Sequence, residues 1–163
     1  MSIEIKNRLN IWEYKYPCRW YRFDEKIKTF FRKLRWMRQR AKYGWCDLDL
    51  WNLDYTLGNY IASSVNELAN RTHGYPYGLD EQEWDRILRE IATSFYLGTN
   101  EDVWDNPYED KVSYKTMYSD LEKPERDVWD KFFEREEGNR KSMEIRRQEG
   151  FKVLMKWFPH LWD

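Results

Sequence analysis

The chain has 163 residues and a mass of 20.4 kDa, which fits one domain or one domain with an appended arm. Its mean hydropathy is -1.00, and no stretch approaches the roughly 20 consecutive apolar residues that a transmembrane helix needs. Two cysteines, Cys18 and Cys46, are too few for a disulfide scaffold or a cysteine-based zinc site, so a soluble, reduced, intracellular protein is expected.

Aromatic side chains and charges are both unusually abundant and unevenly placed. The chain holds 10 Trp, 12 Tyr and 8 Phe, and such side chains suit half-buried surfaces and interfaces, or replace aliphatic residues in packing. The net charge is only -1, yet residues 1–43 hold 13 Lys/Arg against 4 Asp/Glu, and residues 44–137 hold 9 against 22. This segregation indicates either an interaction surface or a basic first helix lying against an acidic middle.

The first 23 residues predict an irregular aromatic arm. Alternating residues such as Trp12, Tyr14 and Tyr16 are compatible with extended chain, and Pro17 interrupts it. We therefore divide the chain into an N-terminal arm at 1–23 and a helical domain at 24–163. The arm is expected to fold as a small hairpin or to lie on a partner.

A basic helix is predicted from Asp24 to Tyr43. Asp24 is a good N-cap, and Gly44 is a typical residue for ending a helix. Its predicted apolar stripe comprises Ile27, Phe30, Phe31, Leu34 and Met37.

A second helix is predicted from an N-cap at Asp47 to Thr72. Its apolar residues recur at three- and four-residue spacing, which predicts a core face made of Leu50, Leu53, Leu57, Ile61, Val65 and Leu68. Gly58 within this helix costs about 1 kcal/mol relative to alanine. Close helix packing or a nearby ligand would explain its presence.

The rest of the chain predicts a turn at 73–78, a third helix and a long C-terminal helical region. Asp80 and Glu83 have the spacing of a capping box, and the helix that they open is expected to end before Gly98. Its predicted buried stripe is Trp84, Ile87, Leu88, Ile91 and Phe95. Residues 98–120 are expected to form an acidic loop, and residues 122–158 one helix or two, because Gly138 and Gly150 interrupt them. We predict an all-α compact bundle of four to five helices packed antiparallel.

A carboxylate cluster follows Gly44. Asp47, Trp51, Asp54 and Tyr55 share one helix side by their spacing, so the carboxylates would hold a divalent cation or the amino groups of a ligand. The alternative is structural: Asp47 caps the helix, Asp49 favours its positive end, and Asp54 pairs with an arginine. No calcium-loop, HExxH, P-loop, GxGxxG or GxSxG motif is present, so no metal or cofactor is predicted.

The basic helix is the second candidate. Arginines there would bind phosphate while Trp36 stacks on a base, or they simply form a solvated face. His73 would ligate or hydrogen-bond a ligand, or cap the preceding helix. The acidic remainder of the chain argues against duplex DNA as a partner.

Four separated motifs resemble a family of small, uncharacterised phage- and prophage-encoded helical proteins. These motifs are the run from Gly44 to Leu57 (GWxDxDxWNxDYxL), HGYP at 73–76, EWDxIL at 83–88, and EGF through KWF to LWD at 149–163. The resemblance covers residues 30–163. It implies a viral accessory protein in the cytoplasm of a bacterial host, and it implies no catalytic residue.

We predict a non-enzymatic phage accessory protein that opposes host defence by sequestering a small phosphorylated ligand such as a signalling nucleotide. The alternatives are a protein-binding inhibitor of a host defence protein, a phage assembly protein, and a metal-dependent enzyme using Asp47, Asp49, Asp54 and His73. A homo-oligomer is expected, because a helical body with surplus aromatics tends to bury them by symmetry. The predicted ligand-binding residues are Arg32, Arg35, Trp36, Arg38, Arg40, Trp45, Asp47, Trp51, Asp54, Tyr55, His73 and Tyr75.

Overall fold

The computed structural model describes residues 23–112 and 122–161. Over these ranges the chain forms five α-helices, three short 3-10 turns and no strand, which confirms the predicted compact all-α bundle. The predicted aromatic arm lies outside the described residues, except for its last residue, which begins the first helix. The helices are α1 (Phe23–Tyr43), α2 (Asp47–Trp51), α3 (Leu53–Arg71), α4 (Glu81–Thr99) and α5 (Lys123–Trp157).

Helix α4 is the centre of the fold and runs antiparallel to both α3 and α5. The start of α3 meets the end of α4 where Gly58 lies against Thr99. The end of α4 likewise meets the middle of α5, and its start meets the end of α5, where the rings of Trp84 and Trp157 are 5.7 Å apart. Helices α3 and α5 therefore flank α4 in an up-down-up arrangement.

The buried stripe of α4 is the one predicted by helical spacing. Trp84, Leu88, Ile91 and Phe95 are all buried, and Ile87 packs partly buried against them. The helix begins at the predicted capping box, where the backbone N–H of Glu83 donates to Asp80 Oδ1 at 2.8 Å. It continues through Gly98 to Thr99, two residues beyond expectation. Gly98 is not a helix stop here, because the backbone of α5 at Arg147 lies against it and favours a residue without a side chain.

The predicted core face of α3 is wrong in its first half. Leu50, Leu53 and Leu57 are each about half exposed, whereas Gly58, Ala62 and Val65 are buried. A Cβ atom at Gly58 would overlap Thr99 Oγ1, so the small residues allow α3 to approach α4 closely. This close packing turns the leucines toward solvent, and it confirms close helix contact as the reason for Gly58.

The single helix predicted from Asp47 to Thr72 is interrupted. Asn52 has backbone angles φ -134° and ψ 66°, which lie outside the helical region and separate α2 from α3. Cys46, rather than Asp47, occupies the N-cap position of α2. The break changes the direction of the chain just before α3.

Helix α5 is one continuous helix of 35 residues, which spans about 52 Å at the usual rise per residue. Gly150 does not break it but lets the Ser94 side chain of α4 approach closely. Near its N-terminus, Trp129 and Phe132 form a second hydrophobic cluster with Val112 of the preceding loop.

Helix α1 lies at the edge of the molecule. Four of the five residues of its predicted apolar stripe are exposed, namely Ile27, Phe30, Phe31 and Met37. Among the described side chains of α1, from Ile27 onward, the buried one is instead Trp36, which packs on Cys46 and Leu48 beside α2. Within the described ranges, no helix is long and apolar enough to cross a membrane.

Candidate functional site

The junction between α1 and α2 joins several residues of the predicted ligand-binding set by ion pairs. The guanidinium of Arg35 donates to Asp47 Oδ2 at 2.8 Å. Gln39 Nε2 also donates to Asp47, and its Oε1 accepts from the Asp47 backbone N–H. Gly44 permits the sharp turn between the helices, because its φ of +81° is a conformation that other residues rarely adopt.

Asp49 forms the buried part of this junction. Two nitrogens of Arg40 donate to its two carboxylate oxygens, and the Cys46 backbone N–H donates to Oδ2 at 2.8 Å. Burial alone would raise the pKa of Asp49, but the hydrogen bonds from Arg40 and Cys46 outweigh it and hold the pKa below its usual value. The bond to Asp49 correspondingly raises the pKa of Arg40.

The same environment fixes the state of the neighbouring thiol. Burial, assisted by hydrogen bonding to Asp49, raises the pKa of Cys46, so the thiol stays protonated. Cys46 and Asp49 therefore act here as packing and capping groups. The structural interpretation of the carboxylate cluster is therefore wrong for Asp47, which pairs with Arg35 while Cys46 occupies the N-cap, and Asp49 instead lies in the first turn of α2 bound to Arg40.

The remaining predicted residues near the junction differ in exposure. Arg32 and Arg38 are exposed along α1, and Trp36 is buried. The ring of Trp45 stacks on Tyr43 with centroids 5.7 Å apart. Phosphate binding at this junction would have to compete with Asp47 and Asp49 for Arg35 and Arg40.

An apolar ridge follows the junction along α2 and α3. Trp51 is 87% exposed, and Leu50 and Leu53 beside it are about half exposed. Leu57 and Tyr60 continue the row, because positions 53, 57 and 60 lie on the same side of a helix. We call Leu50, Trp51, Leu53, Leu57 and Tyr60 the apolar ridge.

Two other predicted residues line a groove of about 810 Å³ at the end of the bundle where α3 begins and α4 ends. Asp54 and Tyr55 of α3 form one wall, and the residues from Gly98 to Asp102 lie at the end of α4. Helix α5 provides the opposite wall with Arg140, Lys141 and Arg147. The groove combines cations, carboxylates, amides and an aromatic ring.

The charges across the groove form a short network. Arg147 pairs with Glu144 on its own helix, and its Nη1 lies 3.7 Å from Asp54 Oδ2. The bond to Arg147 also lowers the pKa of Glu144 below its usual value. Lys141 Nζ lies 3.4 Å from Glu137, and Arg140 lies 3.9 Å from it, both as exposed pairs. The Arg147–Asp54 pair therefore joins the two walls.

Two buried amides lie at the groove, Asn100 in its lining and Asn59 beside Asn100. Asn59 and Asn100 are 2% and 1% exposed, and Asn100 Nδ2 donates to Asn59 Oδ1 at 3.1 Å. Asn100 Nδ2 also donates to the Tyr96 carbonyl at 2.8 Å. Within the described part of the chain, Thr99 Oγ1 and Asn100 Oδ1 are buried without a hydrogen-bond partner.

His73 and Tyr75 lie far from this groove. They follow the C-terminus of α3, which lies about 26 Å along the helix from Asp54. His73 lines a separate hollow of about 400 Å³ together with Glu81, Asp85 and Trp84.

The predicted ligand-binding residues thus occupy three places: the α1–α2 junction with the ridge beside it, the groove, and the far end of α3. Sequence reasoning missed Arg140, Lys141, Arg147 and Asn100. The paired cations at 140–141 and 146–147 on one helix were the available signal. Among residues 23–112 and 122–161, no three His, Cys, Asp or Glu side chains are grouped as a metal site would require.

Comparisons with protein-family models, with curated proteins and with solved structures find no match to this chain. The resemblance to phage-encoded helical proteins therefore stays a prediction.

Proposed function

We propose that this chain is a phage accessory protein that docks on a protein of its bacterial host through the apolar ridge. The observation that carries the proposal is Trp51, which is 87% exposed although it lies in a helix anchored by the ion pairs of the α1–α2 junction. Tryptophan is one of the residue types enriched among energetically dominant interface contacts.

The ridge has the composition of a protein interface. Its five members are large and apolar or amphipathic, each is about half exposed or more, and three of them, Leu53, Leu57 and Tyr60, lie on one side of α3. Monomeric proteins rarely expose a contiguous apolar patch of this kind without using it. A helical row with anchors at 53, 57 and 60 fits an apolar groove on a partner.

The charge beside the ridge favours a partner of another sequence over a second copy of this chain. Helix α1 holds eight Lys/Arg and two Asp/Glu, and its C-terminal end lies at the junction with α2. A two-fold contact through the ridge would place the same surfaces of two copies together and bring two cationic helices close. An acidic rim on the partner would instead attract α1.

Affinity capture from a bacterial host lysate, followed by titration of the purified captured protein, tests the proposal. The baits are the wild-type chain, Trp51→Glu, and Tyr77→Ser as a matched control, since Tyr77 is also fully exposed but lies in the turn before α4. We expect one captured protein to bind the wild type and the control equally, and Trp51→Glu at least about 30-fold more weakly.

Two outcomes would overturn the proposal. One is a captured protein whose measured affinity is the same for all three baits. The other is a wild-type chain that is a stable oligomer by light scattering and becomes monomeric in Trp51→Glu, which would assign the ridge to the predicted homo-oligomer.

A further inference from the structure

The orientation of the Asn100 amide is fixed by its neighbours. Asn59 Nδ2 donates to the Tyr55 carbonyl at 3.0 Å, so Asn59 Oδ1 faces Asn100 and can only accept. The Tyr96 carbonyl also accepts from Asn100. Turning the Asn100 amide over would place its oxygen against these two acceptors, so Oδ1 is the atom left without a partner.

Two unsatisfied polar atoms at adjacent positions are unusual in a folded core. A buried polar atom without a hydrogen bond destabilises a protein, and native proteins keep few of them. Thr99 and Asn100 both line the groove. A carbonyl oxygen only accepts, so the missing partner of Asn100 is an O–H or N–H donor.

The opposite wall of the groove presents cations in weak ion pairs. Arg140 and Lys141 lie 3.9 and 3.4 Å from Glu137 in pairs that are mostly exposed to solvent. Exposed pairs of this kind contribute little to stability, so an incoming anion displaces Glu137 at small cost. Arginine and lysine side by side are well suited to a phosphate group.

The acidic residues of the groove limit the charge of its ligand. Asp54, Glu101, Asp102 and Glu144 line it together with three cations. These carboxylates accept hydrogen bonds from hydroxyl and amino groups but repel a polyphosphate. The lining therefore suits a ligand that has one phosphate group and a second part rich in hydroxyl or amino groups, which donate hydrogen bonds.

We propose that this groove binds a nucleoside monophosphate or a cyclic mononucleotide. The phosphate lies against Arg140 and Lys141, and a hydroxyl or amino group of the nucleoside donates to Asn100 Oδ1 or Thr99 Oγ1. Both atoms are buried in the free protein, so binding includes a local opening of the lining at Thr99 and Asn100 that exposes them, while the Asn100 amide keeps its hydrogen bonds to Asn59 and Tyr96. The groove lining shares no residue with the apolar ridge, although Asn52 and Asp54 flank Leu53 of the ridge, and this proposal does not depend on protein docking.

Isothermal titration calorimetry with the full chain tests the site. The probes are the four ribonucleoside monophosphates and cyclic AMP and GMP, with inorganic phosphate and adenosine as separate arms. We expect at least one nucleotide to bind more than 10-fold tighter than inorganic phosphate and more than 10-fold tighter than adenosine. An equal affinity for inorganic phosphate would overturn the proposal, as would the absence of heat with every nucleotide.

Three variants separate binding from folding. R140Q combined with K141Q is expected to weaken nucleotide binding at least 10-fold, whereas R146Q, a neighbouring cation outside the groove lining, leaves it unchanged. Thr99→Val keeps the side-chain shape and removes an unpartnered hydroxyl, so the free protein melts at the same or a higher temperature while the nucleotide binds more weakly. Unchanged affinity in both Thr99→Val and the double variant would contradict the site.

Discussion

The helices around α4 and the helices around the α1–α2 junction are held by different forces. Helix α4 buries Trp84, Leu88, Ile91 and Phe95 between two neighbours, so its stability comes from removing apolar surface from water. Helix α1 buries chiefly Trp36 and is fixed by carboxylate pairs with Arg35 and Arg40. The first region determines whether the chain folds. The second determines the position of α1 and of the apolar ridge on the folded chain.

The largest effect is expected from the core. Trp84→Ala removes a side chain that is 1% exposed and leaves a cavity between α4 and α5, which should lower the free energy of unfolding by about 3–5 kcal/mol. Urea denaturation followed by circular dichroism measures this loss. A loss below about 1 kcal/mol would contradict the central position of α4.

Breaking the junction should have a smaller and local effect. Asp49→Ala leaves Arg40 without its main partner, and because Arg40 is partly exposed we expect a loss of about 1–3 kcal/mol rather than that of a fully buried pair. Native-state hydrogen exchange should then show faster exchange in α1 and α2 and unchanged protection in α4. Equal acceleration in α4 would show that the two regions unfold together.

The junction should also respond to acid. The pKa of Asp49 is lower in the folded chain than in the unfolded chain, so its contribution to stability is complete above about pH 4 and is lost as pH falls through the lowered value. Urea unfolding of the wild type and Asp49→Asn between pH 7 and pH 2.5 measures it. The stability difference between the two should shrink as pH falls below about 4, and a constant difference would contradict the assignment.

The smallest effect is expected at the ridge. Trp51→Ala removes a side chain that is 87% exposed, so the free energy of unfolding should change by no more than about 0.5 kcal/mol. Trp84→Ala is the matched comparison, since both variants truncate a tryptophan in a helix. A large loss in Trp51→Ala would mean that the ridge packs within the folded chain instead of serving docking.

The sequence predicted the elements whose periodicity agrees with their burial. Asp80 and Glu83 marked the start of α4, and its spacing marked the correct buried face. The pattern misled on α3, where Leu53 and Leu57 have core spacing but the small residues Gly58 and Ala62 form the packed face. Hydrophobic spacing identifies an apolar face of a helix, but it does not establish that this face is buried.

The groove was harder to predict because it depends on contacts between distant residues. Asp54 and Tyr55 were found from their local spacing, but Arg147 reaches Asp54 only because α5 runs antiparallel along α4. The unsatisfied state of Asn100 depends on Asn59, which is 41 residues away in the sequence. Such relations require the folded arrangement.

The continuity of α5 has a mechanical consequence. Its N-terminal end is held at Trp129 and its C-terminal end at Leu154, about 38 Å apart along one unbroken helix. The groove wall lies between these two supports, so a helix that resists bending fixes its position from both sides. A substitution that weakens the packing around Trp129 should therefore tilt α5 as a unit. The tilt would change the distance between Arg147 and Asp54, and with it the width of the groove.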